Sequence, residues 1–252
     1  MSEHIIHINE LHKAFGEQKV LNGVNLKIEK GKITIIIGKS GTGKSVLLKN
    51  IIGILKPDSG HITYKGDDIT TFSRDKILDM RRDFGYLFQD AALFDFMNVG
   101  ENIAFPMVEQ LEITDEKELS EKVAYLLDLI DLPGIESKLP SELSGGMRKR
   151  VGLARALAVD PKIILFDEPT TGLDPILADS IDKLIVKVTR EMNLTSLIIS
   201  HDIPSAFHIG DKIAFLYDGL IAFDGTPAEA EKSDHPILQR FIANSLGRRA
   251  HA

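Results

Sequence analysis

The stretch that most constrains this chain is Gly38-Lys39-Ser40-Gly41-Thr42-Gly43-Lys44-Ser45. It fits the phosphate-binding pattern G-x-x-x-x-G-K-[ST]. The residues on either side suit it. Ile33-Thr34-Ile35-Ile36-Ile37 reads as a buried strand. Leu48, Ile51, Ile52 and Leu55 recur with the spacing of a helix buried on one face. Strand, glycine loop and helix in this order put unpaired backbone N–H groups and a helix N-terminus where a polyphosphate can sit. Lys44 would bring a full charge to the β- and γ-phosphates. Ser45 would offer a hydroxyl to Mg²⁺, a cation that prefers oxygen ligands.

The alternative, a glycine-rich turn with one solvated lysine, is weakened by the strand and helix that flank the loop. The 252 residues suit one or two domains. A formal net charge of −7 argues against a broad nucleic-acid surface. Without cysteine there is neither a disulfide nor a thiolate metal site. The apolar runs are of strand length, so none is expected to span a bilayer. Met1-Ser2-Glu3-His4 lacks the cationic and apolar regions of a secretion signal.

Residues 4–37 read as β-rich, with an irregularity expected where Ile6, Ile8 and Leu11 break strict alternation. Phe15 precedes a turn. It could stack on an adenine ring or serve as a core aromatic. Pro57-Asp58-Ser59-Gly60 closes the first helix, and residues 74–83 read as a charged surface helix. Phe84-Gly85-Tyr86-Leu87-Phe88 is a second buried strand, with Gln89 at its end. A glutamine there could reach a metal or water, or be a polar loop residue. From Ala91 to Met107 the chain is crowded with apolar residues of no clean period. That segment reads as a patch for a partner or as a cover over the core. Val123, Leu126, Leu127 and Ile130 mark a helix ended by Pro133-Gly134.

Leu143-Ser144-Gly145-Gly146-Met147 leads into another helix, whose start is a second anion-binding candidate. The following Arg148-Lys149-Arg150 reads as a solvated face or a phosphate contact. Ile163-Ile164-Leu165-Phe166 is a third buried strand that delivers Asp167 and Glu168 to its C-terminal end. There Asp167 could hold Mg²⁺ and Glu168 could orient or deprotonate a water. The bland reading is an acidic strand end beside solvent. Leu197-Ile198-Ile199 ends in Ser200-His201-Asp202. His201 is either structural or a sensor of the γ-phosphate. Residues 213–223 read as a hairpin across Asp218-Gly219.

Taken together, Phe15, the phosphate loop, Gln89, Leu143-Ser144-Gly145-Gly146, Asp167-Glu168 and His201 resemble the ATP-binding cassette (ABC) family, in that family's order. The resemblance covers residues 4–232. It implies an α/β fold: a P-loop core with a parallel sheet, an N-terminal antiparallel β subdomain and a helical signature subdomain near residues 91–160. Residues 233–252 would form a C-terminal helical tail, whose stripe of Ile237, Leu238, Phe241 and Ile242 is expected to pack on a neighbouring subunit.

The resemblance also implies roles. ATP would be bound by Phe15 and by Gly38, Lys39, Ser40, Gly41, Thr42, Gly43, Lys44 and Ser45. Ser45, Gln89 and Asp167 would surround Mg²⁺, Glu168 would be the general base, and His201 would hold the γ-phosphate. Ser144, Gly145 and Gly146 would close on ATP bound to a second copy, with Asp174 in the loop coupling the two sites. Met147 stands where the family often has Gln. The implied partners are a second copy, integral-membrane permease subunits at the cytoplasmic face of an inner membrane, lipid indirectly, and no nucleic acid. There is room for a small regulatory subunit. The runs Gly38–Lys49 and Leu143–Ala158 look like the ATPases of Mla/Mce-type phospholipid transporters. An importer ATPase for another substrate is the alternative.

Overall fold

The computed structural model describes residues 3–245. The parts of the leader argument on Met1 and Ser2, and of the expected tail beyond residue 245, lie outside the described residues. The described chain divides into two compact units. One comprises the residues up to Met80 together with those from Thr195; the other is Arg81–Leu194.

The first unit contains an antiparallel sheet in the order Gln18–Glu29, His4–Phe15, Ser59–Tyr64, Asp67–Asp68. Ile6 lies opposite Ile28 and Ile8 opposite Leu26, which puts one apolar face into the core. The expected irregularity is present. Register slips between Ile8 and Leu11, where Glu10 takes a φ of 47°. The extra residue lets Leu11 return to the buried side.

The same unit holds a second sheet region in which Ile33–Ile37 lies between Thr195–Ser200 and Lys212–Tyr217, parallel to both. A strand with parallel neighbours on each side and both faces covered must be apolar throughout. All five residues of Ile33–Ile37 are buried accordingly. Lys212–Tyr217 turns back into Leu220–Gly225 through Asp218 and Gly219, both at positive φ, the conformation that a tight hairpin requires.

The helix after the phosphate loop is Lys44–Ile51, shorter than its apolar stripe suggests, and Gly53 follows at a φ of 68°. The helix Pro236–Ser245 is the expected helical tail, and part of its stripe packs on its own chain. Leu238 and Ile242 are buried, and Phe241 lies 5.5 Å, centroid to centroid, from the buried core ring of Phe215. Leu238 and Ile242 thus belong to this chain's own core, while Ile237 and Phe241 are half-buried.

The second unit pairs Phe84–Leu87 in parallel with Ile163–Asp167 and carries the helices Val99–Leu111, Glu116–Leu129, Gly145–Leu157 and Pro175–Glu191. Val123, Leu126, Leu127 and Ile130 are buried as their spacing predicts. The helix Val99–Leu111 was not legible from periodicity. It starts at Asn98, whose side chain accepts from Glu101 N while Glu101 accepts from Asn98 N. That reciprocal cap, Asn-x-x-Glu, was the available signal. Val99, Ile103 and Met107 face inward, so much of the apolar segment covers the core. Phe96 remains 78% exposed.

Candidate functional site

In the first unit, functional groups gather at the C-terminal ends of parallel strands, where ligands bind in open α/β sheets. Ile37 lies opposite Ser200, so the phosphate loop and His201 leave adjacent strand ends. The loop is shaped by close approach. A Cβ on Gly38 would come within 2.5 Å of the Leu216 carbonyl. Gly43 caps the helix at a φ of 98°, where a Cβ would meet Val20 at 2.7 Å.

Lys44 is buried, and its Nζ donates to the carbonyls of Gly38 at 2.9 Å and Lys39 at 3.0 Å. Thr42 Oγ1 donates to the Lys39 carbonyl at 2.9 Å. The loop is thus wrapped around its own ammonium. Ser40 and Gly41 form an exposed crest, and Ser45 stands half-buried in the first helical turn. A hollow of about 290 Å³ lies against the loop, lined by Gln18, Lys19, Lys39, Thr42, Tyr217 and Asp218 among others. Phe15 lies opposite Gln18 across the hairpin and is 49% exposed, so it is no core aromatic. His201 is also exposed.

In the second unit Leu87 lies opposite Phe166. Gln89 and the Asp167-Glu168 pair therefore emerge from neighbouring strands at the same end. Gln89 is exposed. Glu168 takes a φ of 51°, costly for a residue with a side chain. Thr171 Oγ1 donates to Glu168 Oε2 at 3.0 Å, and Thr171 N donates to the Glu168 carbonyl at 3.2 Å.

Ser144 caps the helix Gly145–Leu157 by accepting from Met147 N at 3.3 Å. Gly145 and Gly146 form the first turn of that helix, and Gly146 is buried beside Leu177. Asp174 caps the helix Pro175–Glu191 by accepting from Ile176 N and Leu177 N, both at 3.0 Å.

Sequence reasoning missed the side chains that hold this half together. Arg148, Lys149 and Arg150 do not form one solvated face. Arg148 donates to the Leu143 carbonyl, and Arg150 donates to the Ile130 carbonyl and to Ser180 Oγ. Lys149 is buried, with its Nζ 3.5 Å from the Glu168 carbonyl and 3.4 Å from that of Thr171. Burial pulls its pKa down, against the opposing pull of Asp90 and Glu168.

Arg155 forks onto the carbonyls of Ala91 at 2.7 Å and Ala92 at 2.8 Å. Those two alanines both sit at positive φ, 60° and 50°. Tyr86 donates to Asp167 Oδ2 at 3.1 Å. Beside these groups an apolar groove of about 430 Å³ is lined by Phe84, Tyr86, Phe88, Phe94, Phe105 and Arg155 among others.

The residues expected to hold Mg²⁺ are of the right chemical type: Ser45 in the first unit carries a hydroxyl, and Gln89 and Asp167 in the second carry amide and carboxylate oxygens, the hard ligands that this cation selects.

A family model described as ABC transporter matches residues 21–171. The chain is 41% identical over 237 residues to the probable ribonucleotide transport ATP-binding protein mkl of Mycobacterium tuberculosis. That match covers 94% of this chain but 66% of the relative, so the chain spans just under two thirds of that relative's length. It is 38% identical over 242 residues to the intermembrane phospholipid transport system ATP-binding protein MlaF of Haemophilus influenzae, with 96% of this chain and 91% of that one covered. Among solved structures, the dimeric post-hydrolysis state of the ATP-binding cassette MJ0796 bound to ADP and Pi superposes with a TM-score of 0.80. It is 30% identical, with 88% of this chain and 98% of that one covered.

Proposed function

The chain belongs to the ABC transporter family, and on that premise we propose that it is the ATP-hydrolysing subunit of a membrane transporter that moves phospholipid between envelope membranes. The observation that carries the ATPase reading is the phosphate loop, a glycine-shaped cradle closed around the buried Lys44 at the mouth of a helix. Likeness to MlaF supports the lipid cargo. Likeness to mkl, named for ribonucleotide transport, favours the second reading, an ATPase serving another cargo.

In this mechanism the backbone N–H groups of residues 38–45 and the Lys44 ammonium bind the β- and γ-phosphates. Phe15 offers its exposed face to adenine. Ser45, Gln89 and Asp167 would hold Mg²⁺, which would neutralise charge on the phosphates. Glu168 accepts a proton from the attacking water. His201 donates a hydrogen bond to the γ-phosphate. The chemistry is positioning and charge stabilisation, and no covalent enzyme intermediate is needed.

Ser144, Gly145 and Gly146 serve a second copy of the chain, closing on its γ-phosphate, with Asp174 linking the two sites. The dimeric form of MJ0796 supports this pairing. Among the described residues no helix is long and apolar enough to cross a membrane. Permease subunits would supply the membrane path, with this subunit docked at the cytoplasmic face of the inner membrane. The exposed part of the apolar segment from Ala91 to Met107, Phe96 foremost, is the surface we assign to them, with a small regulatory subunit as a further partner. The cassette is assigned to residues 4–232 and a terminal appendage to 233–252.

The test is purification of the chain from its own membranes, followed by mass spectrometry. Co-purifying permease subunits with bound phospholipid are the expected result. A permease carrying a non-lipid solute would overturn the cargo, and a chain that hydrolyses no ATP in any complex would overturn the function.

A further inference from the structure

Asp167 has a partner that the mechanism above does not use. Tyr86 lies opposite Leu165 in the parallel pair, so its side chain shares a sheet face with Leu165 and Asp167. Its hydroxyl donates to Asp167 Oδ2 at 3.1 Å. The ring is not free to swing. It packs on Phe88 with centroids 4.3 Å apart and planes tilted by 34°, and it forms part of the wall of the apolar groove. A phenol keeps its proton at neutral pH and an ionised carboxylate only accepts, so the hydroxyl is the donor in this pair.

We propose that Tyr86 is a positioning residue for the metal ligand: its hydroxyl holds Oδ2 of Asp167 and so fixes the orientation of the carboxylate that would take a divalent cation. The proposal rests on the reading of Asp167 as a ligand. The physical basis is that a ligating carboxylate needs its orientation fixed from outside, because a freely rotating one loses entropy each time the cation binds. The packed ring supplies that fixing before any cation arrives. An outer partner of this kind commonly affects metal affinity tenfold or more.

The experiment measures Mn²⁺ binding by electron paramagnetic resonance, with the full chain saturated with the non-hydrolysable analogue adenylyl imidodiphosphate. Wild type is compared with Tyr86→Phe, Tyr86→Met, Asp167→Asn and the Tyr86→Phe/Asp167→Asn pair. Analogue affinity in chelator and thermal unfolding are recorded for each. Phe keeps the ring and removes one oxygen; Met removes the ring as well.

We expect both Tyr86 variants to weaken Mn²⁺ about tenfold, Asp167→Asn to weaken it more, and the double variant to match Asp167→Asn. Metal-free analogue affinity should stay unchanged. Wild-type Mn²⁺ affinity in Tyr86→Phe beside a weakened Asp167→Asn would overturn the role of Tyr86 and spare that of Asp167. Loss in Tyr86→Met alone would make Tyr86 a packing residue and overturn the proposal. Wild-type affinity in Asp167→Asn would remove the ligand reading itself, and the proposal with it.

Discussion

The phosphate loop and the strand end around Asp167 are built by opposite means. The loop is mostly backbone: glycines at Gly38 and Gly43 admit a close fold, and Lys44 closes it by reaching carbonyls only a few residues away. The Asp167 end is mostly side chain. Tyr86 holds Asp167, Thr171 holds Glu168, Lys149 lies under the Glu168 carbonyl, and Arg155 pins the chain just after Gln89. A contiguous backbone cradle is rigid by itself. A cluster held by struts from separate elements can be loosened one strut at a time.

The largest expected effect falls on the loop. Lys44→Met should weaken ATP binding about a hundredfold, the worth of roughly 3 kcal/mol for charged hydrogen bonds. Calorimetric titration measures it, and wild-type affinity would mean that the cradle is not the ATP site. On the other side, Arg155→Met removes two charge-assisted bonds to the strained Ala91 and Ala92 carbonyls. Stability to urea should fall by about 2–3 kcal/mol. Arg155→Lys should not restore it, because a lysine's shorter side chain and compact ammonium do not reproduce the planar two-nitrogen fork that spans these carbonyls. Full rescue by Lys would show that the fork does not matter.

Gly43→Ala should cost about 1–2 kcal/mol through its positive φ and the contact with Val20, with nucleotide affinity falling alongside. A neutral outcome would make the cradle softer than described.

The smallest effect is a pH slope. Folding lowers the Lys149 pKa, so the unfolded chain binds more protons in the interval up to the ordinary lysine value of about 10.4. Stability therefore gains with rising pH in that interval. Lys149→Met should remove this contribution, which is at most about 1.4 kcal/mol per pH unit. Unfolding in urea at several pH values between neutrality and the lysine range measures the difference. An identical slope in both proteins would contradict the burial of that charge.

The same contrast explains what could be read from the residues alone. The phosphate loop, its strand and its helix are local in sequence, and they stand where expected. Asp167, Glu168, Gln89 and His201 stand at strand ends as expected, because a buried strand carries the residues that follow it to a sheet edge. Tyr86, Lys149 and Arg155 were not, because each reaches a residue remote in sequence. Only strand register or helix phase brings those pairs together. The helix Val99–Leu111 was hidden because its inward residues, among them Val99, Ile103 and Met107, share the segment with Phe105, which lines the groove instead. The tail stripe was visible as apolar but not as belonging to its own core, since a hydrophobic pattern does not say which surface it meets.

The central claim is that the cradle binds ATP and Glu168 spends it. The most direct test is Glu168→Gln in the purified transporter, with ATP affinity and single-turnover hydrolysis measured together. Unchanged binding and a rate reduced about a thousandfold are expected; hydrolysis at the wild-type rate would contradict the assignment of Glu168 as the base.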